Sequence, residues 1–128
     1  MLYAIGEDGT VKQILSIPRS RRGFFDSKMR NLSQEDYQGI KEALAVRFGN
    51  TEVACSSFIP GSDWTDTPYE PIYWACNENT EEAGFLFGLI VWRFVIEHED
   101  SWGFVSAEES FPDRDIKGKV YFRINPPD

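Results

Sequence analysis

The sequence predicts an α+β protein: an antiparallel sheet of about five strands packed against one long apolar helix and one or two further helices. Three observations predict it. The chain has 128 residues, the size of one ordinary domain. β-prone runs bounded by turn residues lie toward both ends, while helical spacing dominates the middle. No Pro-, Gly- or Ser-rich linker divides the chain, so residues 1–128 read as a single globular domain. Ten Phe, five Tyr and four Trp supply apolar area. Burying aromatics offsets chain entropy, and a disordered chain is poor in them.

The elements follow in order. Leu2–Ile5 and Thr10–Ile17 flank Gly6-Glu7-Asp8-Gly9. The Asp-Gly pair is a strong turn signal, so this segment reads as a hairpin ended by Pro18. Residues 19–32 read as basic and irregular, with Phe24 and Phe25 turned inward. Ser33-Gln34-Glu35-Asp36 has the form of a capping box. Tyr37, Ile40, Leu44 and Phe48 then recur at helical spacing, and Gly49-Asn50 is the stop. Glu52–Ile59 reads as a strand closed by Pro60-Gly61.

Residues 60–71 read as a loop. Thr67-Pro68-Tyr69-Glu70 has the pattern of a short helix start, with Thr67 as cap and Pro68 at the first position. A strand over Ile72–Cys76 is the rival reading. Asn79 or Thr80 caps the central helix, with Glu81 and Glu82 suited to its positive end. That helix extends to about His98, apolar on nearly every face, and so demands cover all round. Trp102–Ser106 and Gly118–Ile124 read as strands, joined by an acidic connection over Ala107–Lys117. Few parallel crossovers are implied by this order, hence the antiparallel sheet with helices on one face.

Charge is unevenly spread over the net −8. Residues 1–50 hold eight basic and six acidic residues, a balance of +2. Residues 51–128 hold five and fifteen, a balance of −10. Phosphate backbones require clustered Lys and Arg, so direct nucleic-acid binding is disfavoured. The one basic cluster, Arg19, Arg21 and Arg22, is too small to reverse this. The first eight residues lack a basic segment followed by a long apolar one. The expectation is therefore a cytoplasmic protein with Cys55 and Cys76 as reduced, buried thiols. The apolar run from Ala83 to Trp92 is too short to span a bilayer, so no membrane association is expected.

Motifs for the common chemistries are missing. There is no nucleophile elbow, no P-loop and no dinucleotide fingerprint. No cofactor and no metal are expected, because the single histidine and two cysteines lack zinc-ligand spacing. His98, in Glu97-His98-Glu99-Asp100, falls near a helix C-terminus, where the dipole favours an imidazolium. Its functional alternative is a general acid/base, or one metal ligand with nearby carboxylates. Gly84 and Gly88 leave room beside bulky neighbours in the central helix, the alternative being a helix contact across a homodimer.

The most site-like stretch is Asp63, Trp64 and Asp66, followed by Tyr69, Tyr73 and Trp74. It mixes carboxylates with aromatics on a loop, where binding residues concentrate. Trp and Tyr combine a large apolar face with one polar handle, which suits recognition. The plain alternative is that these rings close one end of the core while the aspartates solvate a turn.

Pro68-Tyr69-Glu70-Pro71-Ile72-Tyr73-Trp74-Ala75-Cys76, the run Ala83–Trp92 and Gly118–Ile124 together resemble small bacterial proteins encoded in mobile integron gene cassettes. The resemblance covers about half the chain in character and carries no catalytic motif. It implies a compact α+β protein, often self-associating, with an accessory function.

Three functions are compatible with these residues. The first is a non-catalytic binding or interaction module for a protein partner or small molecule, with a homodimer as one form. The second is a small carboxylate enzyme using Asp63, Asp66 or Glu70 with His98. The third is an inhibitor that mimics nucleic acid through Glu108, Glu109, Asp113 and Asp115.

Overall fold

A computed structural model describes residues 1–6, 8–49, 51–55, 64–106 and 120–124. The chain begins with β1 (Leu2–Gly6) and β2 (Val11–Ile14), paired antiparallel with Leu2 opposite Ile14 and Ile5 opposite Val11. The turn is built as its residues dictate. Gly9 takes φ +86°, which a side chain would resist. The Asp8 carboxylate accepts from the Thr10 amide at 3.1 Å and from its hydroxyl at 2.7 Å.

Pro18 then opens α1 (Arg19–Met29). The sequence reading made residues 19–32 irregular, and the structure corrects this. Pro18 sits at the N-cap without a side-chain bond to the first turn, so no capping signal marked the helix. What holds α1 is tertiary: Phe25 is buried, and Phe24 meets Phe85 edge-on at 5.6 Å. With α1 included, three helices accompany the central one among the described residues, where one or two were expected.

α2 (Gln34–Gly49) starts where Ser33 Oγ accepts from the Asp36 amide at 3.0 Å. Ile40, Leu44 and Phe48, four residues apart, are its buried face. β3 (Val53–Cys55) follows. α3 (Glu70–Ala75) begins two residues later than Thr67 as cap would have set it. The Thr67 hydroxyl instead accepts from the Tyr69 amide at 3.2 Å and donates to the Trp64 carbonyl at 2.9 Å, closing the turn before the helix. Pro71 occupies the first helical turn, where its missing N–H costs nothing.

α4 (Thr80–Glu97) is capped by Asn79, whose Oδ1 accepts from the Glu82 amide at 3.0 Å. Nine of its residues, from Ala83 to Val95, are buried. It touches α1, α2 and α3, and Trp92 meets Phe104 of the sheet at 5.1 Å. β4 (Trp102–Ser106) and β5 (Val120–Arg123) complete five strands in the order β2-β1-β4-β5-β3.

The sheet is mixed, which corrects the antiparallel expectation. β1 and β4 run parallel, Leu2 opposite Trp102, while the other three pairings are antiparallel. The chain leaves β1 through its hairpin, passes through every helix, and returns along β1 in the same direction. Strand patterning fixes which residues face the core but carries no sign for a neighbour's direction. Leu2, Ala4, Trp102, Phe104 and Tyr121 alternate onto the helix-covered face and are buried. On the other face a Cβ at Gly103 would meet Ile5 Cδ1 at 2.9 Å, so a side chain there would have to push that methyl aside.

Candidate functional site

The aromatic stretch of residues 63–74 divides into two environments. Trp64 and Tyr69 belong to the core, each 5% exposed. Both rings lie edge-on to Phe87 of α4, with centroids at 6.1 and 4.9 Å. Burial pushes the Tyr69 phenol above its ordinary pKa. Among the described residues Trp64 Nε1 has no hydrogen-bond partner. Between them Asp66 is exposed in the left-handed region at φ +61°, a conformation Asp tolerates in turns.

Tyr73 and Trp74 point elsewhere. Tyr73 is half-buried, Trp74 is 57% exposed, and their rings meet edge-on at 5.7 Å. The start of α3 also borders an open cleft of about 490 Å³ lined by Glu35, Asp36, Glu42, Pro68 and Pro71. Glu70 is half-buried, and Asp63 lies outside the described residues. So do Glu108, Glu109, Asp113 and Asp115, on which the nucleic-acid mimic rests.

His98 caps the C-terminus of α4. It follows Phe87, the ring that Tyr69 touches, by eleven positions on the chain, or roughly 16 Å at 1.5 Å per helical residue. The structure therefore does not bring His98 to the Asp66–Glu70 stretch. Its imidazole is held by its own loop. Nδ1 accepts from the Asp100 amide at 2.9 Å and from Trp102 Nε1 at 3.4 Å. Both bonds need a lone pair on Nδ1, which an imidazolium lacks. Burial lowers the His98 pKa; Asp100 opposes this, while the Met1 ammonium and Arg123 add to it. The expectation of a dipole-favoured imidazolium is thus corrected: desolvation outweighs the helix end.

Around this end of α4 lies an open, polar cleft of about 610 Å³. Met1, Glu52, Glu99, Asp100, Ser101 and Arg123 line it. Arg123 organises the cleft. Nε donates to the Thr51 carbonyl at 2.8 Å, Nη2 to the Phe48 carbonyl at 2.7 Å, and Nη1 to the Asp100 carboxylate. Its guanidinium also stacks on Trp102, 4.5 Å from the ring centroid. The Arg123 bond holds the Asp100 carboxyl below the usual range. Sequence reasoning missed this cleft because its residues come from four separate stretches of chain. The run Glu97-His98-Glu99-Asp100 was the one local hint.

Cys76 is buried and free, and desolvation raises its pKa to about 11. A thiol held protonated is a poor nucleophile. Among the described residues no three His, Cys, Asp or Glu side chains converge to hold a metal ion. No described helix is long and apolar enough to cross a membrane.

No family model matches the chain, and neither a curated protein nor a solved structure matches it. The fold and its surfaces define an α+β protein with a mixed five-strand sheet, an exposed aromatic pair on α3 and a polar cleft beyond α4.

Proposed function

We propose that this chain is a non-catalytic binding module that recognises a basic protein partner through Tyr73 and Trp74. The observation that carries the reading is Trp74. Three of the four tryptophans are almost fully buried, and Trp74 alone stands 57% exposed. Exposed Trp and Tyr are the residues that dominate interface energetics. The carboxylates of Glu35, Asp36 and Glu42 beside α3, with the net charge of −8, favour a basic partner.

The test is affinity capture from bacterial lysate by the wild-type chain and by Trp74→Ala, at low and high salt, read by mass spectrometry. A basic protein retained by the wild type at low salt, and lost both at high salt and with Trp74→Ala, is the expected result. Equal retention of the same proteins by the variant overturns the reading.

Self-association is a second reading, supported by the sheet face turned away from the helices. Val11, Val53 and Val120 are 46%, 56% and 48% exposed there. Light scattering behind gel filtration tests it: a dimer mass that becomes monomeric in Val53→Lys/Val120→Lys supports it, and a monomer at every concentration rejects it. The carboxylate-enzyme reading ranks below both, because His98 lies about three helical turns along α4 from the ring that Tyr69 contacts.

A further inference from the structure

The sheet ends on β2, and the outer edge of that strand is open. The Gly6 amide donates to the Thr10 carbonyl at 2.8 Å, which fixes the phase of the β1–β2 ladder. Bonded pairs alternate along an antiparallel ladder, so Lys12 and Ile14 turn their amides and carbonyls toward Ala4 and Leu2. Val11 and Gln13, with Leu15 next in the same phase, turn theirs outward. Among the described residues no hydrogen bond reaches those outward groups. All three side chains are exposed, Leu15 by 74%. An edge of this kind is a template for a further strand.

The edge is complementary to itself. When two copies of β2 run antiparallel about a two-fold axis at Gln13, the outward groups of Val11 meet those of Leu15 in the second copy. Gln13 meets Gln13. Val11 and Leu15 then form two apolar cross-strand pairs. The neighbouring two-fold registers lack them: an axis at Lys12 sets Val11 opposite Gln13, and an axis at Ile14 sets Gln13 opposite Leu15. Charge agrees with the pairing. One end of the strand is the turn bearing Asp8, and the other leads to Arg19 and Arg22, all three exposed. The antiparallel arrangement brings the acidic end of each copy toward the basic end of the other. β2 also lies in the half of the chain whose balance is +2, away from the −10 of residues 51–128.

We propose that β2 pairs with β2 of a second copy of this chain, edge to edge about Gln13, joining the two sheets into one. Two strands of four residues bury little area, so the dimer fills as concentration rises. The pairing goes beyond the Trp74 reading and does not rest on it. It also differs from stacking of sheet faces, in which the β2 edge stays open.

The test is sedimentation velocity of the full chain over a wide range of concentration, with amide hydrogen exchange by NMR on the same samples. A monomer–dimer equilibrium is expected, with the amides of Val11, Gln13 and Leu15 gaining protection as the dimer fills. Gln13→Pro removes an amide that faces solvent in the single chain, so its melting temperature at low concentration should hold while the dimer is lost. Val53→Lys/Val120→Lys, on the sheet face, should dimerise as the wild type does. Leu15→Glu should weaken dimerisation by about tenfold, because the change occurs twice per dimer. Val11→Lys/Leu15→Glu should recover it. The two positions lie about 13 Å apart within one chain at roughly 3.3 Å per residue, so recovery reports contact between copies. A monomer at every concentration overturns the proposal, as does a dimer in which those three amides exchange freely. A dimer kept by Gln13→Pro and lost in Val53→Lys/Val120→Lys also overturns it, in favour of face stacking.

Discussion

The backbone amide of Asp100 donates to Nδ1 of His98 at 2.9 Å. This bond fixes the neutral imidazole with its lone pair toward the loop, and it has a consequence for pH. An unfolded histidine titrates near 6.5, and burial lowers the folded value. Between the two values the unfolded chain binds the additional proton. The stability His98 contributes is therefore complete above about 6.5 and is lost as pH falls through the folded pKa. The melting temperature should drop between pH 7.5 and 5. His98→Asn keeps a side-chain acceptor without a titrating group, so its drop should be smaller. An equal drop in both proteins would remove His98 as the cause.

Arg123 ties the end of α2, the approach to β3 and the approach to β4 through the carbonyls of Phe48, Gly49 and Thr51 and one carboxylate. Arg123→Ala leaves the Phe48 and Thr51 carbonyls without that donor. The expected loss is about 2–3 kcal/mol, the scale of a charged group's hydrogen bonds, read by urea unfolding. Arg123→Lys should recover only part of it, because an ammonium cannot reproduce the planar fork or the stacking on Trp102. Full recovery with lysine would show that charge alone matters.

Gly88 is buried on α4. Gly88→Leu introduces a large side chain at this buried position, where overpacking costs about 1–3 kcal/mol. Thermal unfolding should show a lowered melting temperature. An unchanged or raised value would mean that the face carrying Gly88 has room to spare.

Cys76, 1% exposed and with its pKa raised to about 11, should resist thiol reagents in the folded protein. In a Cys55→Ser background, labelling should be negligible in buffer and complete in denaturant. Rapid labelling in buffer would contradict the burial of α3 against α4.

Much of the local architecture was legible in the sequence. The Asp8-Gly9 turn, the Ser33 and Asn79 caps and the spacing of Ile40, Leu44 and Phe48 each record an interaction within four residues. The candidate site was legible only as a list of residue types. Trp64 and Trp74 look equivalent on paper, ten residues apart in one aromatic, acidic stretch. One is sealed against Phe87 and the other faces water. α1 was invisible because its start lacks a capping side chain and its stability comes from Phe25 and Phe24 meeting other elements.

By itself the sequence determined which segments become strand or helix wherever a short-range pattern fixes the backbone: turn residues, caps and apolar periodicity. Tertiary structure alone decided that β4 runs parallel to β1, which of the aromatics reach solvent, and that Glu52, Ser101 and Arg123 share one cleft. Those outcomes depend on pairings such as Met1 with Asp100 and Phe48 with Arg123, separated by 99 and 75 residues. Contacts at such range leave no periodic trace in the chain, because they form only after the intervening elements have packed.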